Sequence, residues 1–369
     1  MINTLLSKYR PWIILATLFS LITLIFFSAS FFLYGSLDII YKAWDGPSYV
    51  VVAKSMYDPV LATKYNIIQS VDINENWTWL PAHFPGYPIL IRLFSFLGYF
   101  QSMLLVSLLS ALFATIALYE FIKTLKITSH PLWLTLPSLI LHPRWFAVSH
   151  TGSSEPLFLA LMLVSLTHFA KKNYKLSAIF ATLSVFIRPQ GVFLGIGYAT
   201  VAFITLMRNR NLRNVIKNFA WYLLMPIAVL LVFTLYYFRT GDFFAYFPAL
   251  TLFKHFQLSP FAVFSFPNVN VETYWQEINA LLFALGFSAC LMVLSRRVWW
   301  LGIISLAFFI PLIFMRHSDI SRYMIPLLPV VFVAYQPILE RKSFVLGVFL
   351  MAPAIMRYTL NFINFNRAP

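Results

Sequence analysis

Apolar residues recur along the whole chain in runs of near-membrane-spanning length, separated by short basic turns and by two longer polar and aromatic segments. The runs predict spans at roughly 11–34, 101–122, 131–147, 155–170, 176–187, 190–207, 218–238, 276–294, 298–315, 323–339 and 343–360. A bilayer core of about 30 Å is crossed by about 20 apolar residues in a helix. Backbone groups in lipid must bond within their own segment or a closed barrel, so helices are the expected element. The run 176–187 would be only about 18 Å long at ~1.5 Å per residue, and is expected to form a re-entrant or tightly kinked pair with its successor. The pattern predicts an all-α polytopic membrane protein, one domain over residues 1–369, with ten or eleven spans and, if eleven, an outside C terminus. The first run does not read as a removed signal peptide: its apolar core is about twice the usual length, and no small-residue cleavage site with a soluble domain follows it.

Composition supports the class and charge orients it. Hydrophobic residues make up 60% of the chain and charged residues 11%, against about 25% charged in a soluble domain. The net charge of +15 does not signal nucleic acid, because of where the charges fall. Lys8, Arg10, Lys123, Lys126, Lys171, Lys172, Lys175, Arg208, Arg210, Arg213, Lys217, Arg296, Arg297, Arg341 and Lys342 crowd six short turns, which hold a single acid, Glu340. Glu120 closes a helix beside one of these turns, and the other acids lie on the opposite side. This positive-inside asymmetry places the N terminus in the cytoplasm. Cys290 is the single cysteine, so no intrachain disulfide is possible.

The two longer segments, 35–100 and 239–275, both face outward, and loops of that length in a compact fold are usually functional. No repeat of 20–50 residues and no low-complexity linker is visible. The first segment carries Trp44-Asp45-Gly46-Pro47-Ser48-Tyr49, and Asp45 has two readings. It is suited to N-cap the helix that Pro47 would start, and a carboxylate at a water–lipid boundary is equally suited to act as a base. Glu155, in Ser153-Ser-Glu-Pro156, sits where a helix dipole favours an acid, yet an ionisable residue at a span boundary is costly unless solvated or paired. Arg144, Arg188, Arg239, Arg316 and Arg322 fall at outer ends of spans, against the positive-inside trend, and each wants a partner such as Asp242, Glu155 or Asp319. A guanidinium can also bind phosphate through two bonds. Arg322 is the preferred phosphate ligand, with a salt bridge to Asp319 or an interfacial anchor as its alternatives. His83 gains weight from sharing a loop with Asp45, whereas His142, His150 and His317 are weaker candidates. Metal-ligand spacing is absent, so no metal or other cofactor is expected. Asp72 and Glu75 could touch a divalent ion together, although a solvated loop face is the simpler role. Asn76-Trp77-Thr78 matches a glycosylation acceptor, relevant only in a eukaryotic source.

Several motifs in order, Trp44-Asp-Gly-x-x-Tyr49, His83-Phe-Pro-Gly-Tyr-Pro-Ile-Leu-Ile-Arg92, Ser153-Ser-Glu-Pro-Leu-Phe158 and Arg188-Pro-Gln-Gly191, resemble the GPI mannosyltransferase II family and its prokaryotic relatives. Thr240-Gly-Asp242 and Ser321-Arg-Tyr-x-Ile-Pro-Leu-Leu-Pro329 continue the likeness, which covers most of the chain. The resemblance implies a GT-C bundle that uses a polyprenyl-phosphate sugar on the exoplasmic face, with Asp45 as the acid in the first outer loop. Mannose is implied by the resemblance only. Pro156 after Glu155 and the short chain depart from the eukaryotic pattern, so a lipid or glycan of a bacterial envelope is the expected acceptor and the cytoplasmic membrane the expected location.

The residue inventory fits that chemistry independently. A sugar leaving from a phosphodiester departs as a stabilised anion, so one carboxylate can suffice to deprotonate the acceptor in a single inverting displacement, whereas glycoside hydrolysis usually needs two carboxyls. Asp45 is then the base, with Arg322 and Arg188 at the phosphate. Trp44, Tyr49, His83 and Tyr87 would shape the sugar pocket, with Glu155 and Asp242 among the substrate-binding acids. A transporter or flippase of lipid-linked substrates is the rival, and predicts midplane charges and a pseudo-symmetric repeat. A non-catalytic scaffold would place no premium on Asp45.

Overall fold

The structure, a computed structural model, describes residues 2–65, 77–251, 256–264, 269–317 and 319–365. Asp72, Glu75 and Asn76 lie outside the described residues. Within them every regular element is helical, and Phe256 and Met315 form an isolated bridge. The elements that position the site are α1 (Ile2–Tyr34), α2 (Gly46–Ser55), α3 (Gly86–Leu93), α4 (Tyr99–Leu125), α5 (Glu155–Ala170), α6 (Tyr174–Ile187), α7 (Gly191–Asn209), α8 (Leu224–Thr240), α9 (Ile320–Tyr323) and α10 (Ala352–Phe365).

The protein is an integral membrane protein in which several of the apolar runs form short helices. Among the described residues five helices are long and apolar enough to cross a bilayer: Tyr9–Tyr34, Tyr99–Leu125, Gly191–Asn209, Leu212–Thr240 and Glu277–Leu294. Lys342–Leu350 and Ala352–Phe365, bent by 45°, make a sixth if they act together. Glu155–Ala170, Tyr174–Ile187, Trp299–Ile313 and Ile325–Ala334 are apolar but only 10–17 residues long. Proline is the physical reason for several of the short pieces. Pro131, Pro137 and Pro143 divide the run 131–147 into Pro131–Thr135, a 3-10 turn Leu136–Leu139 and Pro143–Ser149, because a ring without an N–H cannot sit inside a helix without breaking its ladder. Pro326, Pro329 and Pro337 interrupt 323–339 in the same way.

Packing follows membrane rules, in which close approach and interhelical hydrogen bonds replace the hydrophobic drive. α4 buries Ser102, Ser107, Ser110, Ala111 and Ala114, and α5 lies along it with α6 on the other side of α5. Ser165 donates to the Ser177 carbonyl at 2.8 Å, and Tyr222 to the Ser177 hydroxyl at 2.7 Å. α1 buries one stripe, Leu15, Phe19, Ile22 and Phe26, and exposes Leu21, Leu24, Ile25, Phe31 and Phe32, the face expected toward lipid. His150 anchors it through Thr23 at 3.0 Å.

A smaller core joins the two outer segments. Val51, Val52, Tyr57, Leu80, Phe84, Tyr236 and Ala245 are buried together. Tyr236 donates to the Pro81 carbonyl at 2.9 Å and Tyr57 to the His83 carbonyl at 2.6 Å. The last turn of α6, which leads into Arg188, is pressed between two glycines. A Cβ on Gly86 would fall 2.8 Å from the Phe186 carbonyl oxygen, and one on Gly191 would fall 2.7 Å from the Val185 Cα. Gly86→Ala should therefore destabilise the protein by about 1–3 kcal/mol, since backbone must move to admit the methyl. A melting transition in detergent unchanged from wild type would contradict the packing.

Candidate active site

Asp45 follows Trp44, whose φ of 45° is left-handed, a conformation that costs energy in an aromatic residue and clusters at functional sites. Gly46 and Pro47 then open α2, with Asp45 at its N-cap position. The capping role is not the one taken, for the Asp45 side chain makes no cap hydrogen bond. Its Oδ2 instead lies 2.8 Å from Arg322 Nη2, and its Oδ1 lies 3.9 Å from His83 Nε2.

Arg322 comes from α9, far away in sequence, and touches two acids. Its Nε donates to Glu155 Oε1, while Arg188 Nη1 meets the same oxygen at 2.7 Å. One carboxylate oxygen thus holds two guanidiniums side by side. Glu155 Oε2 is buried without a hydrogen-bond partner, as is His83 Nδ1. Arg188 Nη1 also donates to Ser154 Oγ at 2.9 Å, and Ser154 Oγ lies 2.6 Å from the Tyr49 hydroxyl. Charges taken this far from water persist only when paired and hydrogen-bonded. Tyr49→Phe should cost about 0.5–1.5 kcal/mol by removing the Ser154 contact, seen as a lowered melting temperature with α2 otherwise intact.

A second ion pair lies behind the first. Arg144 Nε is 2.7 Å from Asp319 Oδ1, and the Asp319 carbonyl accepts from the Arg322 N–H at 3.0 Å. The Arg144 guanidinium sits 3.7 Å from the Phe362 ring centre and 5.5 Å from that of Trp44. α10 thereby covers the Trp44-Asp45 turn. The proposed Arg322–Asp319 salt bridge is thus replaced: Asp319 pairs with Arg144, and Arg322 with Asp45 and Glu155.

Of the residues singled out in the sequence, Asp45, Glu155, Arg188 and Arg322 converge. Trp44, Tyr49 and His83 border them, with the His83 ring 4.8 Å from Tyr49 and 4.9 Å from Trp79. Tyr87 lies one layer down: it is wholly buried, its ring packs on Tyr49 at 4.8 Å, and its hydroxyl is tied to Ser107 at 2.6 Å and the Met103 carbonyl at 3.0 Å. It supports the pocket from behind. Asp242 is not brought to the cluster. It is exposed and accepts from its own Phe244 N–H at 2.8 Å, the local turn bonding typical of Asp. Ser154 and Phe362 were not visible as site residues in the sequence; a serine beside Glu155 was the only hint of the former.

The field of the cluster acts strongly on its members. Burial alone would raise the Asp45 pKa, but the Arg322 charge, aided by nearby His83, outweighs it and holds the carboxyl well below the usual range. Burial would lower the Arg322 pKa, and the Glu155, Asp45 and Asp319 charges instead push it well above its ordinary value. For Asp319 burial wins over Arg144 and Arg322, and its pKa is raised. A depressed carboxyl pKa in the folded state means that Asp45 contributes stability above its unfolded value of about 3.9 and loses it as pH falls through the folded value. The Asp45 contribution to the melting temperature should hold from pH 8 down to 5 and fall away in stronger acid, with Asp45→Asn flattening that acid limb. No group of three or more His, Cys, Asp or Glu able to hold a metal occurs among the described residues.

No family model and no curated protein matches this sequence. Solved structures do match in fold. The crystal structure of ArnT from Cupriavidus metallidurans in the apo state aligns with TM-score 0.57 at 15% identity over 93% of this chain. The same protein bound to undecaprenyl phosphate aligns with TM-score 0.58 at 13% identity over 93% of this chain. This chain spans 63% of the length of that protein. The helical fold is therefore shared with that protein. Nothing in these likenesses singles out the GPI mannosyltransferase II family.

Proposed function

We propose that this protein is an inverting glycosyltransferase that moves a sugar from a polyprenyl-phosphate donor to a hydroxyl of a lipid or envelope glycan on the exoplasmic face. The observation that carries it is the convergence of Asp45, Glu155, Arg188 and Arg322 from four distant segments onto one contact network. The fold shared with ArnT, one structure of which contains undecaprenyl phosphate, supports the donor class. An open apolar surface formed by Phe27, Ser28, Phe31, Phe32 and Leu37, close in sequence to Asp45, suits contact with a prenyl tail.

In the reaction the acceptor hydroxyl gives its proton to Asp45 as its oxygen bonds to the sugar C1. The bond from C1 to the phosphate oxygen breaks with its electron pair staying on phosphate. Charge gathers on the departing phosphate, where Arg322 and Arg188 oppose it in a site largely closed to water. Trp44, Tyr49 and His83 flank the sugar. Net charge is conserved, since the phosphate gains the negative charge that Asp45 loses on protonation. Mannose is the sugar that the sequence resemblance favours, and a bacterial cytoplasmic membrane with the N terminus inside is the proposed setting. A transporter would concentrate its charges at midplane, whereas this cluster is built at helix ends. Presenting the purified protein in liposomes with polyprenyl-phosphate mannose and the corresponding glucose and arabinose donors should give transfer from the mannose donor. Turnover of another sugar alone would replace mannose, and turnover of none would remove the proposal.

A further inference from the structure

The cluster is charge-balanced and has no guanidinium in reserve. Arg322 is held by Asp45 and Glu155, Arg188 by Glu155 and Arg144 by Asp319, three acids against three arginines. A donor or product phosphate brings further negative charge, so it must take a guanidinium from a carboxylate that already has it. The two carboxylates on Arg322 are not equally placed. Glu155 has 4% of its side chain exposed, is anchored by two arginines and cannot leave without stranding both. Asp45 has 35% exposed and one direct contact to a guanidinium, and it sits at the start of α2 without a capping bond to hold it. It is the partner that can be displaced.

We infer that the Asp45–Arg322 contact is an exchangeable latch: the lipid phosphate captures Arg322, and that capture releases Asp45. The inference rests on the proposed polyprenyl-phosphate chemistry and adds how that site is controlled. Paired to Arg322, Asp45 is a weak base, since the same guanidinium that orients it stabilises its negative charge. Losing that partner to the phosphate raises its basicity just when a donor is present, so unproductive proton uptake in the empty site is avoided. After transfer the protonated Asp45 cannot reclaim Arg322. Once its proton passes to water it can, and the re-formed pair competes with the product phosphate and helps to expel it. Glu155 keeps the two guanidiniums side by side throughout.

The latch has a consequence opposite to that of an ordinary binding residue: removing Asp45 should tighten lipid-phosphate binding. The test is binding of undecaprenyl phosphate to the full-length protein in detergent, for wild type, Asp45→Asn and Asp45→Ala, each shown to melt cooperatively. Both variants should bind of the order of tenfold more tightly than wild type, within the range of ordinary coupling between two ligands. Asp38→Asn, at an exposed acid paired with Lys42 in the same segment, should leave the affinity unchanged and so separates the latch from a general loss of negative charge. Equal or weaker binding by both folded Asp45 variants overturns the latch. If they are inactive as well, the base role survives that result. No specific binding by wild type overturns the latch and the donor class together. Tightening of the Asp38→Asn protein by the same factor also overturns the latch, because the effect would then be that of charge alone.

Discussion

Asp45→Asn should lower sugar transfer by about 10²–10⁴-fold, the usual contribution of a positioned general base, while the protein remains folded. The backbone at Asp45, φ −79° and ψ 0°, suits Asn, and the amide oxygen can still accept from Arg322. Asn caps helices about as well as Asp, so a capping role would survive the substitution and a proton-accepting role would not. Melting in detergent and transfer rate, measured on the same preparation, separate the two. A folded Asn variant with wild-type turnover would remove the carboxylate from the chemistry.

Arg322→Ala should have the larger structural effect. It strips Asp45 of its guanidinium and leaves buried Glu155 with Arg188 alone, and breaking a buried ion pair from one side costs about 3–5 kcal/mol. Transfer should fall below detection, since the departing phosphate also loses its main counter-charge. Arg322→Lys should recover part of the stability and little of the activity. A single ammonium cannot reproduce contacts made from Nε to Glu155 and from Nη2 to Asp45 at once, for which the planar fork of arginine is needed. Full activity in the lysine protein would show that Arg322 supplies only charge.

The class of the molecule was legible in its sequence because lipid imposes a strict rule on composition, and 60% hydrophobic residues with 11% charged leave little else. Span boundaries were less so. A run such as 131–147 is apolar enough to cross, and only its three prolines decide that it folds as short pieces. The four residues of the network were visible as charged outliers at span ends, where an unpaired charge is too costly to keep. Their pairing was not visible, because it is set by how distant helices pack. Asp319, three residues before Arg322, looked the nearer partner, but it turns to Arg144 and leaves Arg322 to Asp45 and Glu155. Asp242 misled for the opposite reason. Its carboxylate is satisfied within its own turn, a local bond that sequence order cannot distinguish from a ligand. Phe362 and Ser154 carry no charge to betray them, and matter only through the ring stacking on Arg144 and the hydroxyl bridging Arg188 to Tyr49.

The most direct measurement follows labelled sugar in liposomes containing the purified protein. Wild type should transfer label from a polyprenyl-phosphate sugar added to the face opposite the basic turns, without any nucleotide sugar, and Asp45→Asn should transfer it at least about a hundredfold more slowly. Label moving only from a nucleotide sugar, or moving equally well in the Asn variant, would contradict an exoplasmic lipid-phosphate glycosyltransferase with Asp45 as its base.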